Sequence, residues 1–383
     1  MTVEEKVDPY DKIIDKIREL PTNVPMDADG NVSEAFIEFV KLLYTPEEAE
    51  IAQYLEVKPL PARKVAKLAG ITKEEATKRL DDMVNQGILH DIGGYSHFMA
   101  MPHFLNNAWK LVNHPIKERL GMKGAELFQK FFIEEKFYKR YESGDDGTAL
   151  TRVVPVGATI QHEEKTLAQE EMHALIDECA GPIMATDCPC RSRTDMLGIR
   201  ECKDKYPIVE SCFQVGQFGA FFKRRGEGRE LTREEAHELI DKYNKMGLVF
   251  TTENSVSPMH QVICACCGCC CSILRGMTRF DPKNPNNTTK SNYIAKVDQD
   301  PCKGCGLCAR RCVYEAITVE NEKASVDPEK CYGCGVCAAT CPTKAMKLYR
   351  VERSEHYPNP IALTNQIYKE THEGSEKQKK GFL

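Results

Sequence analysis

The chain has 383 residues, of which 42% are hydrophobic and 28% charged, and a formal net charge of −5. This length indicates two or three domains, and the composition is that of a folded soluble protein. The negative charge argues against a protein that chiefly coats nucleic acid or an anionic membrane. No early segment resembles a signal peptide, and no stretch approaches the roughly 20 apolar residues that span a bilayer. We therefore expect a cytoplasmic protein without a transmembrane segment.

The first predicted elements, over residues 1–31, are an amphipathic helix and a linker. The helix covers residues 1–20, and its apolar face carries Ile13, Ile14, Ile17 and Leu20. The linker follows, because residues 21–31 are rich in Pro, Gly and Asn.

Residues 32–114 are predicted to contain short helices followed by a hairpin. Helical patterns cover Ser33–Leu43, Pro46–Leu55, Leu60–Ala69 and Lys73–Gln86, and a hairpin follows around Gly93 and Gly94. The segment PARKVAKLAGITKEEATKRLDDMVNQGIL, residues 61–89, resembles the winged helix-turn-helix family. The resemblance implies that Lys73–Gln86 stands in the place of the recognition helix.

The charge of this helix bears on whether the region binds DNA. Its basic residues are matched by acidic ones: Lys73, Lys78 and Arg79 against Glu74, Glu75, Asp81 and Asp82. A surface that faces phosphates needs a positive excess, so we favour a docking or structural role. Arg63, Lys64 and Lys67 on the preceding helix keep DNA binding open as an alternative.

Residues 115–290 are predicted to form a cysteine-rich α+β middle domain. Helices are expected at Lys123–Tyr141, Thr166–Cys179 and Glu234–Lys245, and a short strand over 182–187 precedes Cys188 and Cys190. A turn-rich linker over 281–292 leads out of the domain. All nineteen cysteines of the chain lie between Cys179 and Cys341. Because a reducing compartment disfavours disulfides, this density indicates metal binding.

The middle domain holds two groups of cysteines. Six thiols within eight residues are prone to oxidation unless they are ligated, and neighbouring side chains diverge, so we expect a subset of the run to combine with the first group. We predict one or two extra Fe–S clusters, most simply a third on the first group and a fourth on part of the run. The first group is Cys188, Cys190, Cys202 and Cys212, and the run is Cys264, Cys266, Cys267, Cys269, Cys270 and Cys271.

Other interpretations of the middle domain remain open. Zinc is an alternative for the first group, since four thiolates at irregular spacing suit it too. Buried thiols without a ligand are another alternative, and Cys179, among apolar neighbours, fits this best. Arg191, Arg193 and Arg200 either offset the negative charge of a thiolate-bound cluster or form surface ion pairs.

Residues 291–350 contain two repeats of the pattern CxxCxxCxxxC. One repeat, CKGCGLCARRCVYEAITV, begins at Cys302, and the other, CYGCGVCAATCPTKAMKL, begins at Cys331. The repeats resemble bacterial two-cluster ferredoxins. The resemblance implies two [4Fe–4S] clusters, one held by Cys302, Cys305, Cys308 and Cys341 and the other by Cys331, Cys334, Cys337 and Cys312. Val313 departs from the family pattern, which usually has proline after this cysteine.

The order of domains resembles that of multi-cluster ferredoxin-like proteins of anaerobes, most specifically over the ferredoxin repeats and less so over 33–100, and the chain is predicted to be a multidomain α+β protein. The segment 351–383 is expected to be a polar, loosely ordered tail. We find no nucleophile triad, nucleotide loop or GxGxxG fingerprint and predict no catalytic residue. The resemblance implies relay of single electrons between partner redox enzymes, and the near-neutral charge of 296–350 favours a subunit of a complex. Two alternatives are an Fe–S-dependent transcriptional regulator and a reductase with an extra cluster at a substrate site.

Overall fold

The computed structural model describes residues 7–20, 23–56, 58–99, 106–110, 114–141, 143–144, 147–157, 160, 170–256, 260–281, 283–351 and 356–373. The α-helices are α1 Pro9–Arg18, α2 Glu34–Leu43, α3 Pro46–Ala52, α4 Ala62–Ala69, α5 Lys73–Asn85, α6 Pro115–Gln129, α7 Tyr138–Tyr141, α8 Met172–Glu178, α9 Pro189–Met196, α10 Gly216–Arg224, α11 Arg233–Met246, α12 Ser272–Thr278, α13 Leu307–Arg311, α14 Val336–Ala339 and α15 Pro360–His372. The strands are β1 Leu60–Pro61, β2 Leu89–Ile92, β3 Ser96–Met99, β4 Thr151–Val153, β5 Ile183–Thr186, β6 Cys212–Gln214, β7 Arg229–Leu231, β8 Val249–Glu253, β9 Val262–Cys266, β10 Thr288–Thr289, β11 Tyr293–Val297, β12 Ile317–Glu320, β13 Lys323–Val326 and β14 Met346–Arg350. This mixture confirms the α+β class. Within the described ranges, no helix is both long enough and apolar enough to cross a membrane.

An aromatic core holds the N-terminal helices together. Ser33 caps α2 by accepting a hydrogen bond from the backbone N–H of Phe36, so that one face of the helix turns inward. Phe36 and Phe39 from α2 meet Phe131 edge-on, with ring centroids 5.4 and 5.6 Å apart. Trp109 is fully buried beside Phe39. The core therefore joins α2 to the start of the region predicted as the middle domain.

The segment from β1 to β3 follows the predicted order of helices and hairpin. Thr72 caps α5 by accepting a hydrogen bond from the N–H of Glu75 at 3.1 Å, and Gly70 ends α4 in a left-handed conformation. The strands β1, β3 and β2 form an antiparallel sheet in that order. The predicted helices at Ser33–Leu43, Lys73–Gln86 and Glu234–Lys245 are confirmed as α2, α5 and α11.

The predicted helix over Lys123–Tyr141 is wrong as a single element. Helix α6 begins earlier, at Pro115, and is kinked at Gly121, where φ is +47°. A π-helical turn covers Lys130–Glu134, and the chain then breaks at Lys136, where φ is +65°, before α7 begins. The breaks let Phe131, Phe132 and Phe137 all point into the aromatic core, which a straight helix does not permit.

A seven-stranded sheet forms the centre of the middle domain. Its strand order is β10-β4-β8-β9-β6-β5-β7, and every pairing is antiparallel except that of β10 with β4. The predicted linker over 281–292 is therefore only partly a linker, because Thr288 and Thr289 form an edge strand. Strands β6 and β9 are neighbours with Cys212 opposite Cys264.

The C-terminal region contains two antiparallel strand pairs, and a helix follows them over 360–372. Strand β11 pairs with β14 and β12 with β13, both antiparallel. The expected loose tail is wrong for 360–372, where Asn359 caps α15 and the helix buries Leu363 and Ile367. Leu363 and Ile367 lie one turn apart on the same face of the helix, so they pack inward together. Residues 374–383 lie outside the described residues.

We expect Phe131→Ala to lower the free energy of unfolding of this helical region by about 3–5 kcal/mol, because it leaves a cavity in the aromatic core. A urea titration followed by the fluorescence of Trp109, the only tryptophan of the chain, measures this change. Tyr95→Ala is the control, since that side chain is 68% exposed. Coincident unfolding curves for the two variants would contradict the packing of Phe131 in the aromatic core.

Candidate metal centres

The eight cysteines of the C-terminal repeats lie around two separate cavities. One cavity is lined by Cys312, Cys331, Cys334 and Cys337, and the other by Cys302, Cys305, Cys308 and Cys341. These are the two ligand sets that the ferredoxin resemblance implies, and in each set the fourth thiol comes from the other repeat. The cavities thus fit one four-thiolate cluster each.

Glycines give both cysteine loops their shape. Gly333 has φ +67°, and a Cβ atom there would overlap the carbonyl oxygen of Tyr293 and the hydroxyl of Ser291. Gly304 has φ +57° and lies against the backbone of Glu322 in the same way. Only glycine combines the left-handed conformation with so close an approach. The loops can therefore curl tightly around their cavities.

Val313, the departure from the family pattern, contacts the cysteine run of the middle domain. A Cβ atom on Gly268 would lie 3.1 Å from Cγ1 of Val313. The isopropyl group therefore packs directly over the glycine in the middle of the run. Val313 follows Cys312, so this contact brings the middle-domain thiols next to one of the two ferredoxin cavities.

Four thiols of the middle domain converge and are called here the four-thiol group. They are Cys202, Cys267, Cys269 and Cys270, and their sulfur atoms all lie within 4.8 Å of one another. The Sγ atoms of Cys202 and Cys270 are 3.7 Å apart. Hydrogen bonds from Cys202, Cys269 and Cys270 hold the pKa of Cys267 far below its ordinary value. The group thus has the four thiol ligands that a cubane cluster or a zinc ion takes.

The remaining thiols of the two predicted groups form a second set, buried or half-buried, called here the six-thiol group. Contacts between thiols link its members in a row: Cys188, Cys190, Cys271, Cys266, Cys264 and Cys212. The Sγ atoms of Cys212 and Cys264 are 3.8 Å apart, across the β6–β9 pairing. Hydrogen bonds from Cys212 and Cys266 and the nearby Lys110 hold the pKa of Cys264 well below its ordinary value. This set has more thiols than one cubane takes.

The structure groups these thiols differently from the simplest expectation drawn from the sequence. Cys202 lies with Cys267, Cys269 and Cys270, whereas Cys188, Cys190 and Cys212 lie with Cys264, Cys266 and Cys271. Both thiol groups agree with the expectation that part of the run combines with the first group, since each contains cysteines from both. The turn after β9 directs Cys267, Cys269 and Cys270 to one group and Cys271 to the other, and sequence spacing does not reveal those directions.

Two arginines give this region a buried positive charge. Arg191 and Arg193 are fully buried, and the part of the chain that the structure describes offers no partner to Nε and Nη1 of Arg191 or to Nε and Nη2 of Arg193. Burial acts to lower the pKa of Arg191, but the negative charges of Cys188, Cys267, Cys266 and Cys202 outweigh it and raise the pKa. Arg191 therefore faces members of both thiol groups.

Arg193 has a buried environment similar to that of Arg191, whereas Arg200 does not. The guanidinium of Arg193 lies over the ring of Phe128, 4.6 Å from its centroid, and burial lowers the pKa of Arg193 to about 10. Arg200 instead pairs with Asp195 at 3.5 Å and donates to the carbonyl of Tyr206. Buried cations without carboxylate partners are costly unless another anion is present. Arg191 and Arg193 thus fit anionic thiolate centres, and Arg200 forms an ordinary ion pair.

Sequence reasoning missed two polar residues beside the six-thiol group. Lys110 is buried and donates to Oε1 of Gln214 at 3.0 Å, and the amide of Gln214 donates to Sγ of Cys212 at 3.2 Å. Amide donors to cluster sulfurs are groups that tune a metal centre. Lys110 is 104 residues from Gln214 along the chain, and no local pattern marks it.

Cys179 lies outside both thiol groups. It follows α8, is 3% exposed, and packs among apolar side chains in the core of the middle domain. Burial raises the pKa of its thiol to about 12. A neutral thiol in this setting behaves as a small apolar side chain, in line with the expectation of a cysteine without a ligand.

Comparison with known proteins agrees with the C-terminal part of this picture. A family model described as a 4Fe-4S dicluster domain matches residues 295–348, which include all eight cysteines of the two repeats. No curated protein and no solved structure matches the chain. The chain is therefore an iron–sulfur protein with a ferredoxin-type domain at its C-terminal part, and this domain supports a role in electron transfer.

We expect Gly333→Ala to remove about four irons per chain, because the loop around Cys331 and Cys334 cannot keep its conformation with a Cβ atom there. Iron and acid-labile sulfide quantification after anaerobic purification measures the loss. Gly30→Ala is the matched control: its φ is also positive, at +84°, and nothing lies within 4 Å of the added atom. Equal iron contents in the two variants would contradict this account of the loop.

Proposed function

We propose that this protein relays single electrons along a series of metal centres between partner redox enzymes, as a subunit of a larger complex. Iron–sulfur clusters accept and release one electron at a time. The chain supplies ligands, burial and hydrogen bonds and contributes no bond-making residue of its own. The observation that carries the proposal is the contact of Gly268 with Val313, because it brings the thiols of the middle domain beside a ferredoxin cavity.

The proposed ligand sets follow the cavities and thiol groups described above. Two [4Fe–4S] clusters take Cys302, Cys305, Cys308 and Cys341, and Cys331, Cys334, Cys337 and Cys312. The four-thiol group holds a third cluster, and the six-thiol group holds a fourth through a subset or all of its members.

Polar contacts between the middle domain and the ferredoxin domain hold the thiol groups of the first at a constant distance from the cluster cavities of the second. Arg350 on β14 forms a two-pronged ion pair with buried Glu170, at 3.0 and 3.1 Å. Asn292 donates to the same carboxylate at 2.7 Å. Arg311 on α13 donates to the carbonyl of Lys245 at the end of α11. A constant separation between centres is what a relay within one chain requires, and it distinguishes this arrangement from a ferredoxin domain on a loose linker.

Tyr314 lines the ferredoxin cavity of Cys312 and Cys334 and is near enough to Cys266 of the six-thiol group to be influenced by its charge. Its ring stacks on Tyr332, with centroids 4.3 Å apart. Burial and then the charges of Cys334, Tyr332 and Cys266 raise its pKa well above the ordinary value. The neutral phenol provides a packed aromatic path between the two centres in place of water.

We propose that the winged-helix-like region docks against the rest of the chain and does not bind an operator. His90 stacks on Phe218 of α10, with centroids 5.6 Å apart, and Arg225 donates to Asn85 at the end of α5. On α5 itself, Arg79 pairs with Glu75 at 2.9 Å and Asp81 bonds buried His97. The three basic residues of this helix are outnumbered by its four acidic ones, and Arg79 is already paired, which leaves no positive excess for phosphates.

We expect the double variant Cys202→Ser/Cys270→Ser to lose about four irons relative to the wild-type protein, since it removes half of the four-thiol group. Anaerobic iron and sulfide quantification measures the loss, and EPR of the dithionite-reduced protein reports magnetic interaction between neighbouring clusters. We expect that interaction to weaken in the variant, because a centre adjacent to the Cys312 cavity is gone.

Cys179→Ser is the matched control, because it removes a buried thiol that belongs to neither group. It should keep the iron content and the EPR spectrum of the wild-type protein. About eight irons in both variants and in the wild-type protein would mean that only the ferredoxin clusters exist and would refute the extended relay.

A further inference from the structure

Two histidines face each other where α8 packs on α11. Each helix carries a histidine followed four residues later by an aspartate, and the pairs cross between the helices. Nε2 of His173 lies 3.1 Å from Asp241, and Nε2 of His237 lies 2.9 Å from Asp177. The two Nδ1 atoms are in direct contact, and the ring centroids are 4.6 Å apart. We call these four residues the histidine quartet.

The two aspartates determine the state of the imidazole rings. An ionised carboxylate only accepts hydrogen bonds, so each Nε2 atom must carry the proton that it donates. In the neutral form of each ring, Nδ1 then has a lone pair and no proton. The contact between the two Nδ1 atoms therefore opposes two lone pairs, and this arrangement is unfavourable unless a positive charge lies between them.

We propose that the histidine quartet binds one divalent first-row transition metal ion, such as zinc, through the two Nδ1 atoms. Neutral imidazole is a preferred ligand of these ions. The aspartates then hold the rings as outer partners, in the carboxylate–histidine–metal arrangement common at such sites. Two carboxylates and two neutral rings carry two negative charges, which a divalent ion offsets in full and a shared proton offsets only by half.

The position of the quartet leaves room for the remaining ligands. The side chains of His173 and His237 are 25% and 26% exposed, so water can reach the ion from one side. Glu234 lies one turn before His237 on α11, near enough to be influenced by its charge, and adds a further acidic group. Two nitrogens bound to one tetrahedral zinc at about 2.0 Å stand roughly 3.3 Å apart, so binding rotates the rings slightly outward.

This site is separate from the thiol groups, and the inference does not rest on the proposed electron relay. The histidines are 64 residues apart in the chain, and neither stood out in the sequence. An ion held between α8 and α11 joins two helices whose buried side chains share a core with the central sheet. Helix α11 also contacts the ferredoxin domain through Lys245, so the ion stabilises an element that supports that domain.

Zinc titration of the anaerobically reconstituted holoprotein by calorimetry tests the proposal. We expect one site in the wild-type protein that is lost in His173→Ala/His237→Ala and retained in His372→Gln, which removes a histidine elsewhere. Asp177→Asn/Asp241→Asn keeps both rings and should weaken binding about 10–100-fold. This second variant keeps the test valid if the alanine variant folds poorly, which circular dichroism reports.

X-ray absorption at the zinc edge separates this site from zinc scavenged by thiols. The quartet predicts only nitrogen and oxygen neighbours at about 2.0–2.1 Å, whereas thiolate binding gives sulfur at about 2.3 Å. Unchanged visible absorption of the clusters shows that zinc does not displace iron. A sulfur shell, or equal zinc binding by the wild-type and both quartet variants, would overturn the proposal. Absence of zinc binding would overturn it too and leave a shared proton between the rings.

Discussion

The buried positive charge on α9 is the constraint on which the middle domain depends. Arg191 and Arg193 are fully buried, and no ion pair to a carboxylate offsets either charge among the described residues. Removing a guanidinium from water costs several kcal/mol unless an anion lies nearby. The thiols are the groups that can supply this negative charge, as thiolates bound to metal. Under the proposed function, the stability of the domain is therefore coupled to the binding of metal by its thiol groups.

The central sheet and the turn after it place those thiols. Cys212 and Cys264 are opposite each other because β6 and β9 are neighbours, although they are 52 residues apart. The turn after β9 then sends Cys267, Cys269 and Cys270 toward Cys202 and leaves Cys271 with Cys190. One short run thus serves two thiol groups, and Gly268 within it is small enough for Val313 of the ferredoxin domain to approach.

Local signals in the sequence predicted the bounds of a helix correctly where the residues of that helix alone determine them. The predicted helix starts at Ser33 and Lys73 agree with the structure to within one residue, because the side chains of Ser33 and Thr72 bond the first turn of their helices. Prediction was poorer where tertiary packing overrode the local pattern. The aromatic residues around Phe131 suggest one helix, yet the core accepts them only through a kink and a π turn. The polar segment before His372 forms a helix because Leu363 and Ile367 find a surface to cover.

The sequence by itself determined the ferredoxin-type domain, since its ligands lie in two compact repeats whose spacing reflects the geometry of one cluster. It also indicated ligation for the run from Cys264 to Cys271, because so many thiols in so short a run are prone to oxidation. Only the tertiary structure decided how those thiols are shared out, and that Arg191 faces both groups while Arg200 does not. It alone paired His173 with His237. Contacts between residues distant in the chain depend on which strands and helices become neighbours, and the local spacing of residues does not specify this.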